Sequence, residues 1–90
     1  MNDQIAIPSV HRNGTSQEEL VEALTKASLA LFDATAPLAA CSPNQRDYYL
    51  QPDSVWKMAV EQHSARVAAL HKVREELVAI AEAILDGGAR

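Results

Sequence analysis

Aromatic residues are scarce in this chain, which has one Phe, one Trp and two Tyr among its 90 residues. Hydrophobic residues still reach 48% of the sequence because alanine supplies much of that share. Alanine buries little area, so this composition suits closely packed helices and argues against a β-sandwich or barrel. A chain of this length forms at most one small domain that is marginally stable as a monomer, and we therefore expect an oligomer.

Disulfides, basic runs and long apolar runs are missing as well. Cys41 is the only cysteine, so no disulfide forms within the chain. The formal net charge is −4, and duplex nucleic acid is an unsuitable main partner because such binding depends on neutralising phosphates. No apolar run approaches the roughly 20 residues of a membrane span, and the polar opening MNDQIAIPSV lacks a signal-peptide pattern. We therefore expect a cytoplasmic protein with no membrane partner.

The chain divides into an arm and a hairpin. Residues 1–15 predict an extended N-terminal arm, which could pack across helices or add a short strand. Residues 16–90 predict a helical hairpin with helices at about 16–36 and 54–86 and a loop at 37–53. The second helix is the longer one and is expected to overhang the first.

Both predicted helices carry an apolar seam. The first is capped by Ser16 or Thr15, each followed three residues later by glutamate, and Pro37 predicts its end at about residue 36. Its seam comprises Leu20, Leu24, Ala27, Leu31, Ala34 and Leu38. The second is capped by Asp53 or Ser54 and ends at the glycines Gly87 and Gly88. Its seam has heptad spacing and comprises Trp56, His63, Leu70, Leu77 and Ile84.

A second set of apolar residues lies off these two seams, namely Val21, Leu29, Phe32, Val78 and Leu85. Two helices alone leave such residues without a cover, so further helix has to come from another chain. The predicted fold is therefore all-α: a long antiparallel two-helix hairpin with an extended arm, which oligomerises as a helical bundle, at least as a homodimer.

The stretch VHRNGTS is the first candidate ligand site. Backbone amides before a helix attract anions, and His11, Arg12, Asn13, Gly14 and Thr15 offer donors and close backbone approach for a phosphate. The competing interpretation is structural, because Asn-Gly is a common turn pair and a Thr or Ser before a helix is an ordinary cap.

The stretch PNQRDYY is the second candidate. Arg46 can pair with a phosphate, and Tyr48 or Tyr49 can stack on a base. In the competing interpretation, Arg46 pairs with Asp47 and a tyrosine packs at the end of the bundle with its hydroxyl in water.

Other chemistry is poorly supported by the sequence. Cys41 has no neighbouring base, and the carboxylates of Glu75 and Glu76 indicate a solvated face shared with Arg74 and Lys72. His63 and the histidine eight residues later lack metal-ligand spacing, so a hydrogen bond inside the bundle is the better role for His63. We expect no metal, no cofactor and no enzymatic activity, with a small hydrolase as the weaker alternative.

Hairpin geometry separates the two candidate stretches by some 30 Å, the length of a 20-residue helix. Within one hairpin they therefore form no common site, unless the arm folds back along the helices. In an antiparallel dimer they could meet, one from each chain, and the resulting site would occur twice.

The two stretches together resemble a family. VHRNGTSQEEL, PNQRDYY and the helix EQHSARVAALHKVREEL are similar, over about residues 8–80, to small proteins of tailed bacteriophages and prophages with the motifs VHxNGTS and PNGRDYY. Gln45 stands where that family has glycine. The resemblance implies an accessory phage protein made in the infected bacterium, in a class that includes sponges for nucleotide immune signals. We therefore expect non-catalytic capture of a small anionic ligand; the alternative is a helical adaptor for a host or virion protein.

Overall fold

The computed structural model describes residues 4–87, which form two long α-helices joined by a short connection. Helix α1 spans Gln17–Ala40, a single 3-10 turn spans Gln45–Asp47, and helix α2 spans Asp53–Leu85. The two helices pack against each other, and residues 4–87 contain no strand. The predicted all-α hairpin is confirmed, whereas a strand from the arm is not found in this range. Residues 1–3 of the predicted arm, and Gly88 at the predicted end of α2, lie outside the described residues.

Helix α1 begins after one of the two caps predicted from the sequence, Ser16 and Thr15. The Ser16 Oγ accepts a hydrogen bond from the Glu19 backbone N–H at 3.1 Å and donates one to the Glu19 Oε1, also at 3.1 Å. Glu18 and Glu19 add negative charge at the positive end of the helix dipole. Ser16 is therefore the cap, and Thr15 is the residue before it.

The predicted end of α1 is wrong by four residues, because the helix continues through Pro37 to Ala40. A proline inside a helix removes one backbone donor, but the helix continues where its last carbonyls find other partners. The Ser42 backbone N–H and Oγ both donate to the Ala39 carbonyl, at 3.1 and 2.7 Å, and the Cys41 N–H donates to the Leu38 carbonyl at 3.0 Å. These bonds satisfy the new end, and the connection shortens to residues 41–52.

Helix α2 has a different cap from the one predicted. Its N-cap is Pro52, which makes no side-chain hydrogen bond to the helix, so neither Asp53 nor Ser54 caps it. Asp53 instead occupies the first helical position and pairs with Lys57 at 3.3 Å. At the other end the prediction is confirmed for Gly87, whose φ of 118° is one that side chains with a Cβ rarely adopt.

Two contacts set the antiparallel register. Phe32 lies against Arg74, and Val21 lines a groove together with Leu85. The last residue of α1, eight positions after Phe32, therefore falls opposite Arg66. The first turns of α2 extend about 20 Å beyond α1, which confirms the overhang.

The seam between the helices is shallow. Its predicted members on α2 are all buried or half-buried, but within residues 4–87 Ile84 is the only fully buried apolar side chain. The radius of gyration is 18.6 Å, against about 12 Å for a compact domain of this length. The hairpin is thus a flat, elongated layer of 61 × 29 × 18 Å, in which most seam residues are covered from one side.

Replacing the cap tests the start of α1. Ser16→Ala removes the acceptor of the Glu19 N–H, so the free energy of unfolding should fall by about 1 kcal/mol in urea denaturation. Thr15→Ala, at the neighbouring exposed position, is the matched control and should change it by less than about 0.5 kcal/mol. Equal losses for both variants would contradict the assignment of the cap to Ser16.

Candidate functional site

Residues 11–14 form a four-residue turn directly before α1. The Gly14 N–H donates a hydrogen bond to the His11 carbonyl at 3.1 Å. The His11 imidazole covers Gly14, so that a Cβ at this glycine would lie 2.8 Å from the His11 Nε2. Gly14 has no positive φ, a conformation found at Gly87 alone in residues 4–87. Glycine is thus suited to this position because a side chain would collide with the His11 ring. The prediction that Asn13-Gly14 belongs to a turn is confirmed.

The Arg46 stretch is also an ordered turn. The Asn44 Oδ1 accepts a hydrogen bond from the Arg46 N–H at 3.1 Å. The Asp47 N–H donates to the Asn44 carbonyl at 2.9 Å, which closes the 3-10 turn. No residue other than glycine has a positive φ in residues 4–87, so Gln45 fits its position without the glycine typical of the resembling phage proteins.

The two tyrosines have different environments. The Tyr48 ring lies 5.8 Å from the Trp56 ring, centroid to centroid, with an interplanar angle of 52°. Tyr48 is half-buried and packs the connection against α2, as the structural alternative predicted for one tyrosine. Tyr49 is 75% exposed, so its ring is open to a ligand.

Within residues 4–87 the arginines of the two turns have no acidic partner. The ion pairs found in residues 4–87 are Lys26–Glu22 at 3.8 Å and Lys57–Asp53 at 3.3 Å, both one helical turn apart. Neither Arg12 nor Arg46 belongs to these pairs, and the predicted pairing of Arg46 with Asp47 is not found there. Both guanidinium groups lie on exposed residues and can receive an anion.

One hairpin keeps the two turns apart. The His11–Gly14 turn precedes the first residue of α1, and the Arg46 turn follows its last residue. The 24 residues of α1 span about 36 Å, so the turns lie near opposite ends of that helix. The structure brings together His11 to Thr15 on one side and Arg46 to Tyr49 on the other, but not the two groups.

The buried histidine has no partner within one hairpin. His63 is 7% exposed, and its Nε2 makes no hydrogen bond to residues 4–87. The expected hydrogen bond inside the oligomeric bundle, for example across a dimer axis, stays a prediction. Within residues 4–87 no three His, Cys, Asp or Glu side chains group as a metal site would require, and no helix is long and apolar enough to cross a membrane.

A surface groove at the start of α1 measures about 830 Å³. It is lined by Ser16, Gln17, Glu18, Val21, Glu22 and Leu85. None of the eight candidate residues of the two turns lines this groove. Its two glutamates make it a poor site for an anion, since like charges repel.

A continuous apolar surface is exposed along one side of the hairpin. We call it the apolar face and define it by Leu29, Phe32, Val78 and Leu85, which are 56, 52, 38 and 59% exposed. Three of these residues, Leu29, Val78 and Leu85, line a groove of about 190 Å³ between α1 and α2. These residues are among those that the sequence placed off the seams, so the prediction of an uncovered second face is confirmed.

The sequence indicated that Arg74 lies on a solvated face. In the structure Arg74 belongs to the apolar face instead. Its guanidinium carbon lies 4.8 Å from the centre of the Phe32 ring, a cation–π contact. Its Nε is buried and has no hydrogen-bond partner among residues 4–87. The sequence alone did not predict this contact, because Arg74 stands among the charged residues Lys72, Glu75 and Glu76. The position of α1 shows that Arg74 is the one that faces Phe32.

Comparison with protein-family models, curated proteins and solved structures finds no match to this chain. The two turns and the apolar face are the structural features that bear on function.

The single tryptophan reports on the packing of the connection. Tyr48→Ala removes the ring beside Trp56, so it should change the tryptophan emission spectrum and lower the free energy of unfolding by about 1–2 kcal/mol. Tyr49→Ala is the matched control at an exposed neighbouring position and should alter neither. An unchanged emission spectrum in Tyr48→Ala would contradict the contact.

Proposed function

We propose that the protein captures a small phosphate-bearing ligand, a nucleotide signal in particular, without changing it chemically. In this proposal it is an accessory protein of a tailed phage and removes an immune signal from the cytoplasm of the infected bacterium. That setting is the one implied by the resemblance of VHRNGTSQEEL and PNQRDYY to phage and prophage proteins.

The observation that carries the proposal is the pair of ordered, exposed turns. Each is closed by its own backbone hydrogen bonds, and each presents an arginine outside the ion pairs found in residues 4–87. A guanidinium held on an ordered turn can bind phosphate in bidentate fashion and loses less freedom on binding than one on a flexible tail. Tyr49 adds an exposed ring on which a base can stack.

Capture is favoured over catalysis by the exposure of these side chains. Residues 11–15 and 44–47 are all exposed, and catalytic groups depend on positions from which water is excluded. Cys41 is exposed, and its thiol donates to the Pro37 carbonyl at 3.4 Å, with no base as its partner. The turns therefore suit recognition of a ligand better than its conversion.

Thermal denaturation with added nucleotides tests the proposal. ATP, cyclic AMP and cyclic di-GMP are the probes, and a bound one should raise the melting temperature increasingly with its concentration; at 100 times its Kd the stabilisation is about 2.7 kcal/mol. Arg12→Ala and Arg46→Ala should each weaken binding by about tenfold or more, because each removes a charged hydrogen bond.

Lys72→Ala is the matched control, since it removes one positive charge from an exposed helix position outside both turns. It should leave the affinity within about twofold of the wild type. Absence of a shift with any of these nucleotides, or an equal loss in Lys72→Ala, would count against the proposal. Recovery of a converted product after denaturation would indicate an enzyme instead.

The apolar face favours a second candidate, a helical adaptor that binds a host or virion protein. Exposed apolar surfaces of this kind mark protein contacts. A stable complex with such a protein, together with no response to any nucleotide, is the result that would select the adaptor.

A further inference from the structure

We propose that a second copy of this chain covers the apolar face, packed antiparallel, and that this dimer brings the His11–Gly14 turn of each chain to the Arg46 turn of the other. The contact between the two copies is inferred from the exposed surface and the charge distribution of the hairpin. The binding of a ligand where the two turns meet rests on the proposed function.

The exposed area of the hairpin leaves room for a partner of about the size of this chain. The hairpin exposes 6911 Å², whereas a folded monomer of 9.8 kDa exposes about 5,200 Å². The difference is about 1,700 Å². Obligate homodimers bury about 1,000–2,500 Å² on each chain, so one identical partner accounts for the excess.

The position of the face along the hairpin determines which ends would meet. The face and its lining run from Val21 to Phe32 on α1 and from Arg74 to Leu85 on α2. Its midpoint lies about 14 Å from the first residue of α1 and about 20 Å from the last. A two-fold axis through this midpoint, perpendicular to the helices, brings the start of one α1 to within about 6 Å, along the axis, of the end of the other.

That arrangement joins the two half-sites. The His11–Gly14 turn directly precedes α1, and the connection that carries Arg46 directly follows it. In the antiparallel dimer each turn therefore lies beside the connection of the partner chain, and two equivalent composite sites form. In a parallel dimer the two stretches would stay about 36 Å apart, as they are in one hairpin.

Charge favours the antiparallel arrangement. One end of the face carries Glu18 and Glu22, which line the groove at the start of α1. The other end carries Arg74, which lies over Phe32 and belongs to neither ion pair found in residues 4–87, and Glu75 and Glu82 line the surface beside it. An antiparallel partner places Arg74 near Glu18 and Glu22 of the other chain, whereas a parallel partner places the two Arg74 guanidinium groups near each other.

Sedimentation equilibrium of the full chain tests the interface. The wild type should have twice the monomer mass of 9.8 kDa. Leu29→Glu introduces a charge into the face and should raise the dimer dissociation constant by about a hundredfold or more. Ala30→Glu is the matched control: it adds the same charge at the next residue, rotated about 100° around the helix, and should leave the dimer intact. A monomeric wild type, or equal effects of both variants, would overturn the interface.

Thiol cross-linking tests the orientation, with Cys41 as the natural probe. The second protein is the double variant Asn13→Cys, Cys41→Ser. With a short bifunctional thiol reagent, each protein alone should give no covalent dimer, because like thiols lie at opposite ends. A mixture of the two should give a dimer linked between positions 13 and 41.

Covalent dimers in each protein alone, with none specific to the mixture, would show a parallel dimer and overturn the proposal. No cross-link in any sample would overturn it as well. Because the cross-link needs no ligand, it separates failure of the dimer geometry from failure of ligand capture. Cross-linking in the mixture, together with a wild type that shows no nucleotide-induced stabilisation, would support the interface and count against capture.

Discussion

The packing of α1 on α2 along one seam is the constraint on which the rest of the structure depends. Two helices form a single layer, and a side chain on their seam is covered by one neighbour only. That is why Ile84 is the only fully buried apolar side chain in the described range and why Leu29 and Phe32 remain about half exposed. Hydrophobic stabilisation is roughly proportional to the apolar area removed from water. A large part of the apolar area of this hairpin is still exposed and does not yet contribute to its stability.

The same seam holds the two arginine-bearing turns at a set distance. Helix α1 is a rigid spacer between the His11–Gly14 turn and the connection with Arg46, and backbone hydrogen bonds order both. Each turn is too small and too exposed to enclose a ligand by itself. In the proposed antiparallel dimer, the partner chain supplies the second turn that one hairpin keeps at the far end of α1.

Arg74 joins the apolar face to the electrostatics of the hairpin. Its guanidinium lies over the Phe32 ring, while its Nε is buried without a hydrogen-bond partner in the described part of the chain. Such a group is costly to leave incompletely satisfied, and a facing surface with carboxylates relieves that cost better than an apolar one. The apolar face therefore favours one orientation of a partner helix and also offers apolar area for that partner to cover. A purely apolar stripe would accept either direction of a partner helix.

Periodicity in the sequence was enough to determine the helical class, the two seams and the existence of a second apolar face, because each depends on which side chains recur on one side of a helix. The residue types near the helix ends predicted Thr15 or Ser16 as the cap of α1 and a glycine at the end of α2. The tertiary structure decided the continuation of α1 past Pro37, the packing of Tyr48 on Trp56 and the position of Arg74 over Phe32. These depend on hydrogen bonds and contacts made after the chain has turned, which residue spacing does not encode.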